Sequence, residues 1–229
     1  VIAALGVHPG IPGARPVKAG FRESTAIGLR AARSPRIRLL YFSAFAARGD
    51  LVIAGTFIVL WGTLAGQAQG LETSVALGRA TLLFVISSSA ALVWAPIMGV
   101  LLDRFDRLLI LALGAALATI GFSAVGLIEN PLDPAVRPLF FLLGIGQSSC
   151  FYASQALIGQ EAPPENRGAV IGAFSACGAI GVLIANGVGG RLFDSIAPGA
   201  PFLMVAGATM LLAIWAIWVR LGERAETAS

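Results

Sequence analysis

At 229 residues, with 57% hydrophobic and only 12% charged residues, the chain falls far below the ~25% charged share of soluble domains. Its net charge of +4 is modest and its basic residues are unevenly placed, which argues against nucleic acid as a partner. The one histidine, His8, lies near the N-terminus, and Cys150 and Cys177 both fall inside apolar runs, so histidine-based catalysis, a metal cluster and a disulfide framework are excluded. An integral membrane protein in a lipid bilayer, without metal or cofactor, is the expectation.

In chain order, residues 1–7 are apolar but too few to cross a membrane, and they read as the last turns of an earlier helix. Residues 8–38 are rich in Pro and Gly and then basic, with Arg15, Lys18, Arg22, Arg30, Arg33, Arg36 and Arg38. Within them, residues 18–33 read either as an amphipathic helix on the membrane surface, with Phe21, Ile27 and Leu29 dipping in, or as a plain solvated linker.

Six apolar runs follow, at 39–64, 80–102, 108–128, 138–160, 169–190 and 201–219. Each approaches the ~20 residues needed to span hydrocarbon. Runs of this length, rather than alternating segments of about ten residues, require helices that satisfy their own backbone and exclude a β-barrel. The expected fold is therefore an all-α membrane protein, a six-transmembrane-helix bundle at 39–219 between a basic segment at 1–38 and a tail at 220–229. Basic residues alternate in number across the bundle: Arg104, Arg107, Arg167, Arg220 and Arg224 fall on the side of the N-terminal seven, and only Arg79, Arg137 and Arg191 on the other. The positive-inside rule then puts both termini in the cytoplasm.

The first run holds Arg48-Gly49-Asp50, ~13 to 17 Å from its start at ~1.5 Å per residue. A charge at that depth costs at least ~2.5 kcal/mol. Residues two apart on a helix do not face each other, so a simple intrahelical pair is not expected. A wet cavity or a partner helix is the better compensation, and midplane sites of this kind are where secondary transporters bind substrate and coupling ion. Asp50 is the candidate protonatable group and Arg48 its modulator or an anchor for an anionic substrate.

The second run carries Ser87, Ser88 and Ser89, expected to bond back to their own helix, and Pro96, expected to kink it. On a helical wheel, Gln147, Ser148, Tyr152, Ser154 and Gln155 of the fourth run share one face. Such a stripe lines an aqueous cavity or joins helices; Gln147, Tyr152 and Gln155 are taken as substrate candidates. In the fifth run, Gly168, Gly172, Cys177, Gly181, Ala185 and Gly189 permit close helix approach, and Asn186, its lone amide, is a further substrate candidate or an interhelical hydrogen-bonding group. Trp215 and Trp218 read as interfacial anchors at the end of the sixth.

Between the second and third runs stands Gly99-Val-Leu-Leu-Asp103-Arg104-Phe-Asp106-Arg107. Four charges in five residues must lie at a water interface. Gly99, Leu101, Asp103, Arg104 and Arg107 resemble the G-x-L-x-D-R-x-G-R signature of the major facilitator superfamily of transporters, with Asp106 where that family usually has Gly and Leu108 where a basic residue is common. The resemblance implies the C-terminal six-helix half of a twelve-helix fold. It also implies a conformational latch at helix ends on the cytoplasmic side. The stretch Glu161 to Gly168, with Pro163, Pro164 and Arg167, is similar to the acidic turn after the fourth helix of that family, and Glu161 is the implied partner of Arg104 or Arg107.

The leading functional expectation is a secondary active transporter of the plasma (bacterial inner) membrane. It would move a small-molecule substrate by alternating access, with protons as the coupling ion, alongside a missing N-terminal half or a second copy of itself. The competing readings are a non-transporting scaffold or sensor and a half-size transporter acting as a homodimer. Hydrolase and metalloprotease signatures are missing, so no enzyme is expected.

Overall fold

The computed structural model of the protein describes residues 20–228, and its described residues are helical, with no strand among them. The expectations placed on His8, Arg15 and Lys18 lie outside these residues. A short helix, α1 (Phe21–Ala31), precedes six long ones: α2 (Pro35–Ala68), α3 (Thr73–Arg104), α4 (Arg107–Gly126), α5 (Arg137–Glu161), α6 (Arg167–Ser195) and α7 (Ala200–Ala228). By length and apolarity α2, α3, α4, α6 and α7 qualify as membrane spans. The helix α5 has 25 residues, ample to cross, but its amides and hydroxyls lower its apolarity and leave it outside that set. Of the six expected runs, five therefore stand as spans by composition.

The connections are short because each helix end is closed locally. Gly70, at φ 80°, takes the left-handed conformation after α2, and the Leu71 amide donates back to the Gly66 carbonyl at 3.0 Å, capping the last turn. Between α3 and α4 only Phe105 and Asp106 intervene. The Asp106 carboxylate accepts from the amides of Leu108 and Leu109 at 2.8 and 3.1 Å, an N-cap that starts α4. Pro96 sits inside an unbroken α3.

Packing pairs α4 with α5 and α7, α3 with α5, and α2 with α3, α5, α6 and α7. Phe122, Phe140, Phe202, Ile53, Leu83 and Leu143 are among the fully buried side chains, with Trp61 and Phe122 flanking the Phe202 ring. In contrast, α3 and α6 leave long apolar faces open, including Leu92 (75% exposed) and Leu183 (72% exposed). Trp218 is also exposed, as an interfacial anchor requires, but Trp215 packs on Phe42 with ring centroids 5.6 Å apart.

The helix α1 packs against α6, where Gly28 comes so close to Ala169 and Ala173 that a side chain there would collide with them. The Tyr41 hydroxyl of α2 donates to the Gly28 carbonyl at 2.7 Å. Ile27 is half-buried, while Leu29 is 65% exposed. The segment is thus a helix held to the bundle rather than a free linker.

Candidate functional site

Asp50 lies on α2 and is wholly buried, and neither of its carboxylate oxygens has a hydrogen-bond partner. Its polar neighbours are the Gln147 amide and Cys150, both on α5. The Gln147 Nε2 is likewise buried and makes no well-formed hydrogen bond, although it is close enough to Asp50, as is the Leu51 amide, to favour the carboxylate electrostatically. Asp50 also contributes, with Phe45, Ala46 and Gly49, to the wall of a partly open cavity of about 170 Å³ that α6 and α7 line as well. Unpartnered buried polar groups are rare in native proteins, which marks this position as unusual.

Arg48, two residues earlier, projects elsewhere, and no ion pair joins it to Asp50. Its stem packs on Gly178 of α6, and its guanidinium lies 5.9 Å from the centre of the Phe151 ring of α5, within cation–π range. Tyr152 meets that ring edge-on at 5.8 Å. Arg48 is half-buried, in the cleft where α5 and α6 barely touch. The structure therefore separates the two charges, with Asp50 against Gln147 and Arg48 against Phe151. Sequence reasoning did not pick out Phe151, because an aromatic in an apolar helix carries no signal of its own.

The hydroxyls of the α5 stripe are mostly spent inside their helix. Ser148 donates to the Gly144 carbonyl, Ser154 to Cys150 and Ser149 to Ile145, each at 2.8 Å. Trp94 of α3 donates to the Ser149 hydroxyl at 2.8 Å. Gln147 is buried, while Tyr152 and Gln155 remain half-buried. On α6, Gly178 and Gly181 press on the α2 backbone and on the Arg48 stem, and Gly189 on Ile53. Gly168 and Gly172 have open space beside them, so the packing face is narrower than the spacing suggested. Asn186 is exposed and donates to the Val182 carbonyl of its own helix at 3.2 Å, apart from Asp50 and Arg48.

At the charged end, the arrangement differs from expectation. Glu161 pairs neither with Arg104 nor with Arg107 but with Arg36, whose Nη1 lies 2.5 Å away. The C-terminus of α5 comes to the first turn of α2, which sets Glu161 beside Arg36. Arg107 is instead taken up by helix-end carbonyls, Leu102 at 3.2 Å and Ala156 at 3.4 Å, tying α4 to α3 and α5. Gly99, Asp103 and Arg104 are exposed, and Arg167 donates to the Gly159 carbonyl at 2.6 Å. Asp106 also meets Arg220 of α7 at 3.4 Å.

The tight, charged turn between two membrane-length helices is the feature that places this chain, and the sequence profile of the Major Facilitator Superfamily matches it over residues 40–229. The chain belongs to the major facilitator superfamily. Among curated proteins this facilitator is similar to magnetosome protein MamH of Paramagnetospirillum magneticum, at 32% identity over 80% of the chain and 42% of that protein. It is also similar to magnetosome proteins MamZ of P. magneticum and Magnetospirillum gryphiswaldense, each at 28% identity over 84% of the chain and 30% of the relative. The chain spans less than half the length of these relatives. Within the facilitator signature, the departure to Asp at position 106 has a local explanation: a carboxylate there caps α4, which glycine does only by leaving the amides to water.

Proposed function

We propose that this facilitator chain is the C-terminal six-helix half of a secondary active transporter that moves a small solute by alternating access and couples it to protons at Asp50. In this reading α5 is the sixth span, residues 1–38 form a cytoplasmic linker, residues 39–219 the transmembrane domain and residues 220–229 a cytoplasmic tail. The membrane is the plasma membrane; the likeness to magnetosome proteins favours the magnetosome membrane as the second residence to test, by the position of a fluorescent fusion.

The observation that carries the reading is the sealed, unbonded Asp50 beside a cavity. An isolated charge in a low-dielectric interior is costly, and intramembrane ionisable residues generally mark ion pathways. A group in that position is tolerated when its cycle alternates between a loaded, closed state and an open one in contact with water. The low apolarity of α5 supports a cavity-facing role for that helix, with Gln147, Tyr152 and Gln155 as solute contacts and Arg48 as the cationic element of the cleft. The open apolar faces of α3 and α6, together with the greater length of the relatives, support a partner half packed against them.

The test is made on the full-length protein in proteoliposomes. Solid-supported-membrane electrophysiology with a panel of small solutes is expected to give pH-dependent currents, lost in Asp50→Asn. Alkylation of Ala46→Cys by a membrane-impermeant reagent is expected from each side in turn. Currents unchanged in Asp50→Asn would overturn the assignment.

A further inference from the structure

At the end of the bundle opposite the charged turn, a cavity of about 310 Å³ is lined by Arg79 and Leu82, Leu83 of α3, Leu132 and Pro134 of the preceding loop, and Arg137 of α5. We propose that Arg79 and Arg137 form a binding site for a phosphate oxyanion, borne by a phospholipid headgroup or by a free phosphate.

Both guanidinium groups border one cavity, and among the described residues neither is engaged by an ion pair or hydrogen bond. Both arginines are exposed and border the same cavity, so an oxyanion entering from solvent can reach both guanidinium groups. The nearest acid in sequence, Asp133, accepts from the Ala135 amide at 2.9 Å and makes no ion pair with either arginine. Arginine forks match phosphate oxygens bidentately. Arg79 lies six residues into α3, ~9 Å along its axis, and the leucine floor suits an acyl chain beside a headgroup. Arg191, the other basic residue expected on this side, is exposed on α6 and borders none of this cavity.

The experiment uses the full purified chain in detergent, with native mass spectrometry reading retention of dioleoyl-phosphatidylglycerol, of dioleoylglycerol, which lacks the phosphate, and of inorganic phosphate. Arg79→Gln/Arg137→Gln is expected to weaken retention of a phosphate-bearing ligand by about tenfold or more, with Arg191→Gln as wild type. Retention of the phospholipid alone identifies a lipid source, and retention of inorganic phosphate a soluble one. In the unmodified chain, phenylglyoxal labelling of Arg79 and Arg137, mapped by peptide mass spectrometry, is expected to slow when the phosphate-bearing ligand is present. Equal retention in the double variant, equal retention of dioleoylglycerol, or labelling that no phosphate slows would overturn the proposal.

Discussion

Arg36 and Glu161, separated by 125 positions, meet with Nη1 2.5 Å from Oε1, and this joins the first turn of α2 to the last residue of α5. The same guanidinium donates to Glu223 of α7 at 2.5 Å through Nε and 2.7 Å through Nη2. One cation thus holds three helix ends. The Arg36 side chain is 41% exposed, so water screens each pair and the expected stabilisation is about 1 kcal/mol or less per pair. Arg36→Gln should lower the thermal unfolding midpoint slightly, with a difference that shrinks as salt is added. Arg36→Glu should cost more, because it sets a third carboxylate against Glu161 and Glu223. A loss unaffected by salt would mean that packing, not charge, holds these ends.

The cap at the start of α4 has a pH signature. Burial works against the Asp106 carboxylate, but hydrogen bonds from the Leu109 and Leu108 amides and the Arg220 guanidinium outweigh it and hold the group below its ordinary range. A carboxyl so depressed contributes its stability above the ordinary value of ~3.9 and loses it as pH falls through the folded value. Asp106→Ala should cost ~1 kcal/mol at neutral pH and less at the acid end, where the neutral carboxyl still accepts the amide bonds but without its charge. Asp106→Asn should keep most of the cap, since asparagine accepts the same amide bonds. Unfolding curves at pH 7 and in acid distinguish the three proteins.

Removing the unbonded carboxylate should stabilise the fold. A buried polar group without a partner carries an unrecovered desolvation cost of ~1–3 kcal/mol, and Asp50 is wholly buried with both oxygens unbonded. Asp50→Leu should therefore raise the unfolding midpoint while abolishing the pH-dependent currents proposed for the full-length protein, the usual opposition of stability and function at a site. A clear fall in stability would point to a structural role.

The glycines of α6 should divide sharply. At Gly181 a new Cβ would run into the Phe45 backbone, whereas at Gly172 it would meet nothing. Gly181→Leu should cost more than the ~1–3 kcal/mol of ordinary overpacking, because backbone cannot move aside. Gly172→Leu should stay within ~0.5 kcal/mol. Yield of folded protein after detergent extraction and its melting temperature read both.

Tyr41 is the staple of α1. Tyr41→Phe removes the bond to the Gly28 carbonyl at a cost of about 1 kcal/mol, confined to that helix. Hydrogen exchange should rise across residues 21–31 and stay unchanged in α4 and α5.

Composition and local spacing alone determined that this chain is apolar enough for a bilayer, that its runs are helices, and that Asp103 to Asp106 form an exposed turn between two of them. These properties add up residue by residue along the chain, so they need no knowledge of distant neighbours. That Asp50 falls near the middle of a long helix was also legible, since α2 runs from Pro35 to Ala68. The partners were not: that Glu161 takes Arg36, that Arg107 takes carbonyls, and that Gly181 is packed while Gly172 is open depend on where helices cross. Only the tertiary structure decided those, because a contact over 2.5 Å is set by the rotation and offset of whole helices, which small apolar contacts spread over the entire bundle determine together.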